Sequence, residues 1–241
     1  MNDLARIDQN KAVIDRYRPM QEPLLSQLRA YYRVGLTWTS NALEGNSLTE
    51  SETKVVLEDG LTVAGRPLRD YYEATGHAKA YDAMWRMTNS PITEADICAL
   101  HRLFYEGIDA EQAGKYRTQR VFITGSRFTP PAPDKVPGLM ADFIDWLNTA
   151  QLHPVELAAQ AHKRFVFIHP FVDGNGRVAR LLMNLCLIRN GYTLAIIPPV
   201  VRLEYIQLLE KAHTDDAPFC AFIAERVLET QKEILRLLEQ G

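Results

Sequence analysis

The chain has 241 residues, 46% of them hydrophobic, which is enough to bury one sizeable core and excludes wholesale disorder. Its net charge of -3 removes the electrostatic case for a dedicated nucleic-acid surface. Cys98, Cys186 and Cys220 lack metal-ligand spacing and read as buried thiols of a reducing compartment, not as a disulfide framework.

Taken in chain order, the elements are almost all helical. Met1–Pro19 is charged and lacks the apolar run of a signal peptide, and no apolar run approaches the ~20 residues of a membrane span, so the cytoplasm is the expected location. Met20–Trp38 predicts an amphipathic helix, with Leu24, Leu25, Leu28, Tyr31, Tyr32 and Leu36 at helical spacing. Thr49-Glu50-Ser51-Glu52 is a capping box that opens a helix to about Glu58. The next helix starts near Asp70 and buries Tyr71, Ala74, Ala78, Tyr81 and Trp85, and another follows the Thr93 cap and its matching Asp96. Tyr116–Pro133 breaks the pattern. Arg120–Thr124 followed by Gly125-Ser126 predicts a short hairpin, and the prolines after it forbid a helix. Val136–Asn148, Pro154–Ile168, Arg180–Asn190 with its stop at Gly191, Arg202–His213 and Pro218–Gln240 complete an all-α chain. Residues 1–38 read as an N-terminal helical extension and 39–241 as one domain.

The chemistry concentrates in His169-Pro170-Phe171-Val172-Asp173-Gly174-Asn175-Gly176-Arg177-Val178-Ala179-Arg180. Singly, each residue has an ordinary explanation. His-Pro commonly ends a helix, Asp caps one, Gly-Asn-Gly makes a turn, and arginines three apart line a surface. Together they supply what is needed to hold a nucleotide's phosphates and remove a proton beside them. An imidazole serves as a base near neutral pH, and a lone carboxylate suits Mg²⁺. Glycines at a helix N-terminus let N–H groups reach an anion, and arginine forks pair with phosphate oxygens.

These twelve residues match His-Pro-Phe-x-Asp-Gly-Asn-Gly-Arg-x-x-Arg at all nine fixed positions, so the chain resembles the Fic (filamentation induced by cAMP) family. Gly114-x-Tyr116-Arg117, Leu152-His-Pro-Val-Glu156 and Leu181-Leu-Met-Asn184 extend the resemblance over nearly the whole chain. The resemblance implies an all-α, Fic-type helical bundle with a short β-hairpin flap. It also implies a protein adenylyltransferase that moves AMP from ATP-Mg²⁺ to a hydroxyl side chain of a protein. On the family's pattern His169 is the base, and Asp173 holds Mg²⁺ between the α- and β-phosphates. Gly174, Asn175 and Gly176 form the anion cradle, with Asn175 tolerating a strained backbone, and Arg177 and Arg180 bind phosphate. Ser40-Asn41-Ala42-Leu43-Glu44-Gly45-Asn46, by itself a helix end and a turn, matches the inhibitory motif of the class with an N-terminal inhibitory helix, where Ser40 is the motif's first residue and Glu44 would pair with Arg180. Val121, Phe122, Ile123 and Thr124 resemble the flap that adds a strand to the target protein, and they would serve equally as a structural ribbon. Tyr205, Leu209 and His213 fall where the family contacts adenine, although a core stripe explains Leu209 as well.

The implied partners are ATP and a protein bearing a Ser, Thr or Tyr hydroxyl, including this protein itself; neither nucleic acid nor membrane is expected, and homo-oligomerisation stays open. Three rivals remain: removal of AMP with Glu44 positioning the water, a different transferred group, and a Fic-fold binding module without catalysis.

Overall fold

The computed structural model describes residues 3–239. Ten helices carry the fold: α1 (Asp3–Asp15), α2 (Leu24–Ala42), α3 (Glu50–Lys54), α4 (Leu68–Met84), α5 (Glu94–Tyr105), α6 (Val136–Thr149), α7 (Pro154–Ile168), α8 (Asn175–Arg189), α9 (Arg202–Lys211) and α10 (Ala217–Glu239). No strand occurs among the described residues. The expected helix end at Gln240 lies outside them. No helix among them is long and apolar enough to cross a membrane.

Local signals set most boundaries. Thr49 and Thr93 accept from the backbone N–H of Glu52 and Asp96, whose side chains bond back to the cap N–H, so both capping boxes form. α2 starts at Leu24, later than periodicity predicts, because Pro23 cannot donate an intrahelical bond and disfavours helical geometry at Glu22. It also runs further, to Ala42, which places Ser40 and Asn41 inside the helix and Glu44 in the turn that leaves it.

α8 is the centre. Val178, Ala179, Leu181, Leu182, Met183, Leu185 and Leu187 are all fully buried, so this helix is surrounded on every face. α7 packs along it, α4 and α5 cover another side, and α10 closes over α7. α1 is part of the same core. Ile7 and Ile14 are buried, α1 packs on α10, and Gln231 donates to the Ile7 carbonyl at 3.0 Å. No cysteine is in a disulfide; Cys186 is buried, and Cys98 and Cys220 are half-buried.

The hairpin expected over Arg120–Thr124 does not form. Residues 118–132 form no regular element, with a turn closed by Ser126 N–H on the Ile123 carbonyl. The returning arm cannot pair: Pro130, Pro131 and Pro133 have no N–H, and the Arg127 N–H donates to Glu210 of α9 instead. Side chains fix the segment. Arg117 donates to the carbonyls of His169, Gln119 and Pro131, Ser126 donates to Glu210, and Phe128 stacks on His213 at 3.7 Å.

Candidate functional site

α7 ends at His169, whose φ of 52° makes it the only non-glycine residue with left-handed backbone among those described. The following proline disfavours right-handed helical geometry at this position, and the chain turns sharply out of the helix. The turn aims the imidazole. Nδ1 lies 3.3 Å from the Val166 carbonyl, which can only accept, so Nδ1 carries the hydrogen and Nε2 keeps its lone pair. Burial depresses the imidazole pKa below its ordinary value, and Arg117 adds to this, against the pull of the Val166 carbonyl. His169 is thus a neutral ring with a free basic nitrogen at neutral pH.

The loop is held from within. Asn175 donates from Nδ2 to the Phe171 carbonyl at 2.9 Å, and its Oδ1 accepts from the Phe171 N–H at 2.9 Å. Asn175 was expected to take the strained backbone of the turn. That conformation belongs to Gly174 (φ 78°), where a Cβ would strike the Phe104 ring; Asn175 is already the first helical residue, and its amide staples the loop.

Asp173 lies at the mouth of this loop. Its Oδ2 accepts from Arg69 at 2.6 Å, and its Oδ1 from the Gly174 N–H at 2.6 Å and from Arg177 at 3.3 Å. Burial works upward on its pKa, but Arg177, the Gly174 N–H and Arg69 outweigh it and hold the carboxyl below the usual range. It is therefore an ionised, partly exposed carboxylate. No group of three or more His, Cys, Asp or Glu able to hold a metal occurs among the described residues. A single carboxylate beside an anion loop fits Mg²⁺, which takes few protein ligands and completes its shell with water and phosphate oxygens.

Arg177 and Arg180 face different partners. Arg177 lies over the Phe104 ring at 4.5 Å and pairs with Glu73 of α4 at 2.8 Å. Arg180 donates from Nε to Ser40 Oγ at 2.9 Å, from Nη2 to the Ser40 carbonyl at 2.8 Å and to Glu44 Oε1 at 2.7 Å, and from Nη1 to Tyr205 Oη at 3.2 Å. Glu44 and Arg180, 136 residues apart in sequence, are thus an ion pair. The Glu44 carboxylate also lies against Gly176, where a Cβ would collide with it. Burial raises the Glu44 pKa, but Arg180 and then Arg177 win, and the group stays ionised. Arg202 secures the turn by donating to the Leu43 carbonyl at 2.6 Å, and Asn46 does so by donating to Asp70 and Glu73.

The remaining expected residues are placed as follows. Val121 and Ile123 are half-buried, whereas Phe122 and Thr124 are exposed, a period-two alternation on a backbone outside any regular element. Tyr205 is buried with its hydroxyl on Arg180, Leu209 is half-buried, and His213 is sandwiched between Phe128 and Phe167. Sequence reading missed Arg69 and Glu73 on α4, His101 and His162. His101 accepts the Gly114 N–H, lies 3.1 Å from the Asp173 carbonyl and stacks on Phe171 at 3.7 Å. None of these has a local motif; the fold alone brings Arg69, Glu73 and His101 to the loop and its arginine, and His162 to Tyr205.

The central helix thus opens on a glycine loop, with a neutral imidazole before it and, after it, an arginine ion-paired to Glu44. The Fic/DOC family model matches residues 91–187. Protein adenylyltransferase fic-1 of Caenorhabditis briggsae is 38% identical over 76% of this chain and 38% of its own length. A structure of Fic-1 from C. elegans is 30% identical, with a TM-score of 0.87 over 99% of this chain and 72% of that one. A Fic domain containing signaling protein from Bacteroides thetaiotaomicron is 28% identical, with a TM-score of 0.86 over 96% of this chain and 95% of that one. The chain belongs to the Fic/DOC family. It spans less than half the length of the curated relatives it matches.

Proposed function

We propose that this protein transfers AMP from ATP to a hydroxyl side chain of a protein and that Glu44 restrains it. The observation that carries the reading is the His169 imidazole, neutral, with Nδ1 engaged by Val166 and Nε2 free, at the edge of the Gly174–Gly176 loop. The curated relatives named protein adenylyltransferase support it.

In this reading the target hydroxyl gives its proton to His169 Nε2 as its oxygen attacks the α-phosphorus. The bond from the α-phosphorus to the bridging oxygen breaks, and pyrophosphate leaves with the electron pair. The imidazolium then returns its proton to solvent. Backbone N–H groups at the start of α8 and the Arg177 guanidinium hold the phosphates, and Arg180 takes the terminal one. Asp173 would hold Mg²⁺, whose charge would offset that of the phosphate oxygens. Exposed Phe122 and Thr124 on the 118–132 segment would lie beside a target's extended backbone. With Glu44 on Arg180 and against Gly176, the terminal phosphate lacks its arginine, and ATP cannot settle for in-line attack.

Transfer of label from α-labelled ATP to protein, compared between wild type and Glu44→Gly, tests this. Strong labelling by the variant and weak labelling by wild type is the expected result. Removal of AMP from a modified protein by wild type, lost in Glu44→Gly, with transfer by neither, would reverse the direction of the reaction assigned to the site. No labelling and no removal by either, with Mg²⁺ present, would leave a binding module.

A further inference from the structure

We propose that Tyr205 and His162 are positioning residues that hold Arg180 in place when Glu44 withdraws from it. This rests on the reading above, in which Arg180 passes from Glu44 to the terminal phosphate of ATP.

Arg180 is 2% exposed and always charged. Its recorded partners divide by element. Ser40 Oγ, the Ser40 carbonyl and Glu44 all come from α2 and the turn that leaves it; Tyr205 comes from α9. Freeing the guanidinium for a phosphate removes the carboxylate, and the Ser40 contacts that remain lie on the same helix end as the departing Glu44. A buried cation without fixed partners would reorient, and a binding group that must be reordered by its ligand costs affinity.

Tyr205 supplies the fixed partner, and His162 fixes Tyr205. The Arg180 guanidinium can only donate, so Tyr205 Oη accepts at 3.2 Å and its own hydrogen must go elsewhere. His162 Nε2 lies 3.0 Å away. Tyr205 therefore donates to Nε2, which leaves the ring's hydrogen on Nδ1, a buried atom with no partner. An orphaned buried N–H is what remains when a tautomer is dictated from the other nitrogen. Burial, assisted by Arg180, pushes the His162 pKa down to about 3, so the ring stays a neutral acceptor. Phe219 of α10 packs against both rings, with centroids 5.3 Å from His162 and 6.3 Å from Tyr205. Helices α7, α9 and α10 thus aim one donor chain, Arg180 to Tyr205 to His162, and none of its last two members belongs to α2. The Tyr205 ring is 5% exposed, with its hydroxyl inside this chain of contacts.

The test compares a non-transferable ATP analogue with AMP, by calorimetry, in the Glu44→Gly background. AMP has no terminal phosphate for Arg180. Tyr205→Phe should weaken the analogue roughly tenfold, the lower end for a hydrogen bond involving a charged group, and leave AMP unchanged. His162→Leu should do the same, and His162→Gln, which keeps an acceptor, should restore most of the affinity. In ¹⁵N-histidine spectra His162 should show an unprotonated Nε2 that shifts in Tyr205→Phe. Equal losses for both nucleotides would assign Tyr205 to adenine or to the fold, and no loss for either would make it a bystander; both overturn the proposal. If Tyr205→Phe does not fold, the Leu and Gln variants of His162 decide. If Glu44→Gly itself neither transfers AMP nor prefers the analogue to AMP, the functional reading fails first, which separates the two failures.

Discussion

At the scale of single residues, the loop assigns separate duties to neighbours that look alike in sequence. In the proposed reaction His169 would act on a proton and Asp173 on a cation, and their surroundings differ accordingly: a buried neutral ring and a partly exposed ionised carboxylate. His169→Ala in the Glu44→Gly background should lower AMP transfer by roughly 10²–10⁴-fold while ATP still binds; turnover near that of the parent would remove His169 from the chemistry. The pH profile should carry the same signature. Burial lowers the His169 pKa, so the neutral, active ring persists below the ordinary value of 6.5, and activity falls only as pH drops through that depressed value. An acid limb above 6.5 would contradict a buried neutral base. Asp173 faces competition, because Arg69 already sits on its Oδ2 at 2.6 Å. Arg69→Ala should therefore tighten Mn²⁺ binding to the nucleotide-free protein, read by electron paramagnetic resonance, and Asp173→Ala should abolish it. Unchanged Mn²⁺ affinity in both variants would place the metal elsewhere.

At the scale of elements, the regulation proposed above turns on the end of α2 against α8. Moving a two-state switch from 1:99 to 99:1 takes about 5.5 kcal/mol, and close charge pairs at one measured interface couple by ~1.5–7 kcal/mol. One Glu44–Arg180 pair is thus strong enough to suppress activity and weak enough to leak, so wild type should label slowly but measurably. Gly176→Ala separates two uses of that glycine. Its methyl would displace the Glu44 carboxylate and crowd Arg180 Nη1 at 3.2 Å. If Gly176 serves the phosphates, Gly176→Ala lowers transfer even in Glu44→Gly; if it only makes room for Glu44, the double variant matches the single one. The 169–180 loop was legible in sequence because its parts are contiguous. The Ser40–Asn46 motif and its pairing with Arg180 were legible by family resemblance; the further contacts of Arg180 with the Ser40 carbonyl and Tyr205 needed the fold. The hairpin was misread because an apolar run at Val121–Thr124 closed by Gly125-Ser126 says nothing about whether a second arm has N–H groups to offer. Arg69, Glu73, His101 and His162 were invisible because an isolated polar residue on an apolar helix has no local signature. The helix Asp3–Asp15 was anticipated only as part of an extension, because Ile7 and Ile14 are too few to mark a buried face.

At the scale of the whole molecule, burying neutral histidines ties stability to pH. His77 and His162 are held down to about 3 and His101 to about 4, in each case chiefly by burial. All three return to about 6.5 on unfolding, so below that pH the unfolded chain binds more protons than the folded one, and stability falls as pH falls. The slope per histidine is at most about 1.4 kcal/mol per pH unit, so three together approach ~4 kcal/mol per unit between pH 6.5 and their folded values. Against a typical total of 5–15 kcal/mol, that is enough to unfold the protein before the carboxylates are reached. Glu44 and Asp173, held below their ordinary values, add the same sign only at more acidic pH. The midpoint of urea unfolding should therefore drop steeply between pH 7 and pH 5.5, an interval centred on the ordinary histidine value. His77→Gln, which can still hydrogen-bond the Thr37 hydroxyl that lies 3.1 Å from His77 Nδ1, should reduce that slope by about one proton's worth. A flat midpoint across this interval would mean that the three rings are charged or solvated in the folded protein.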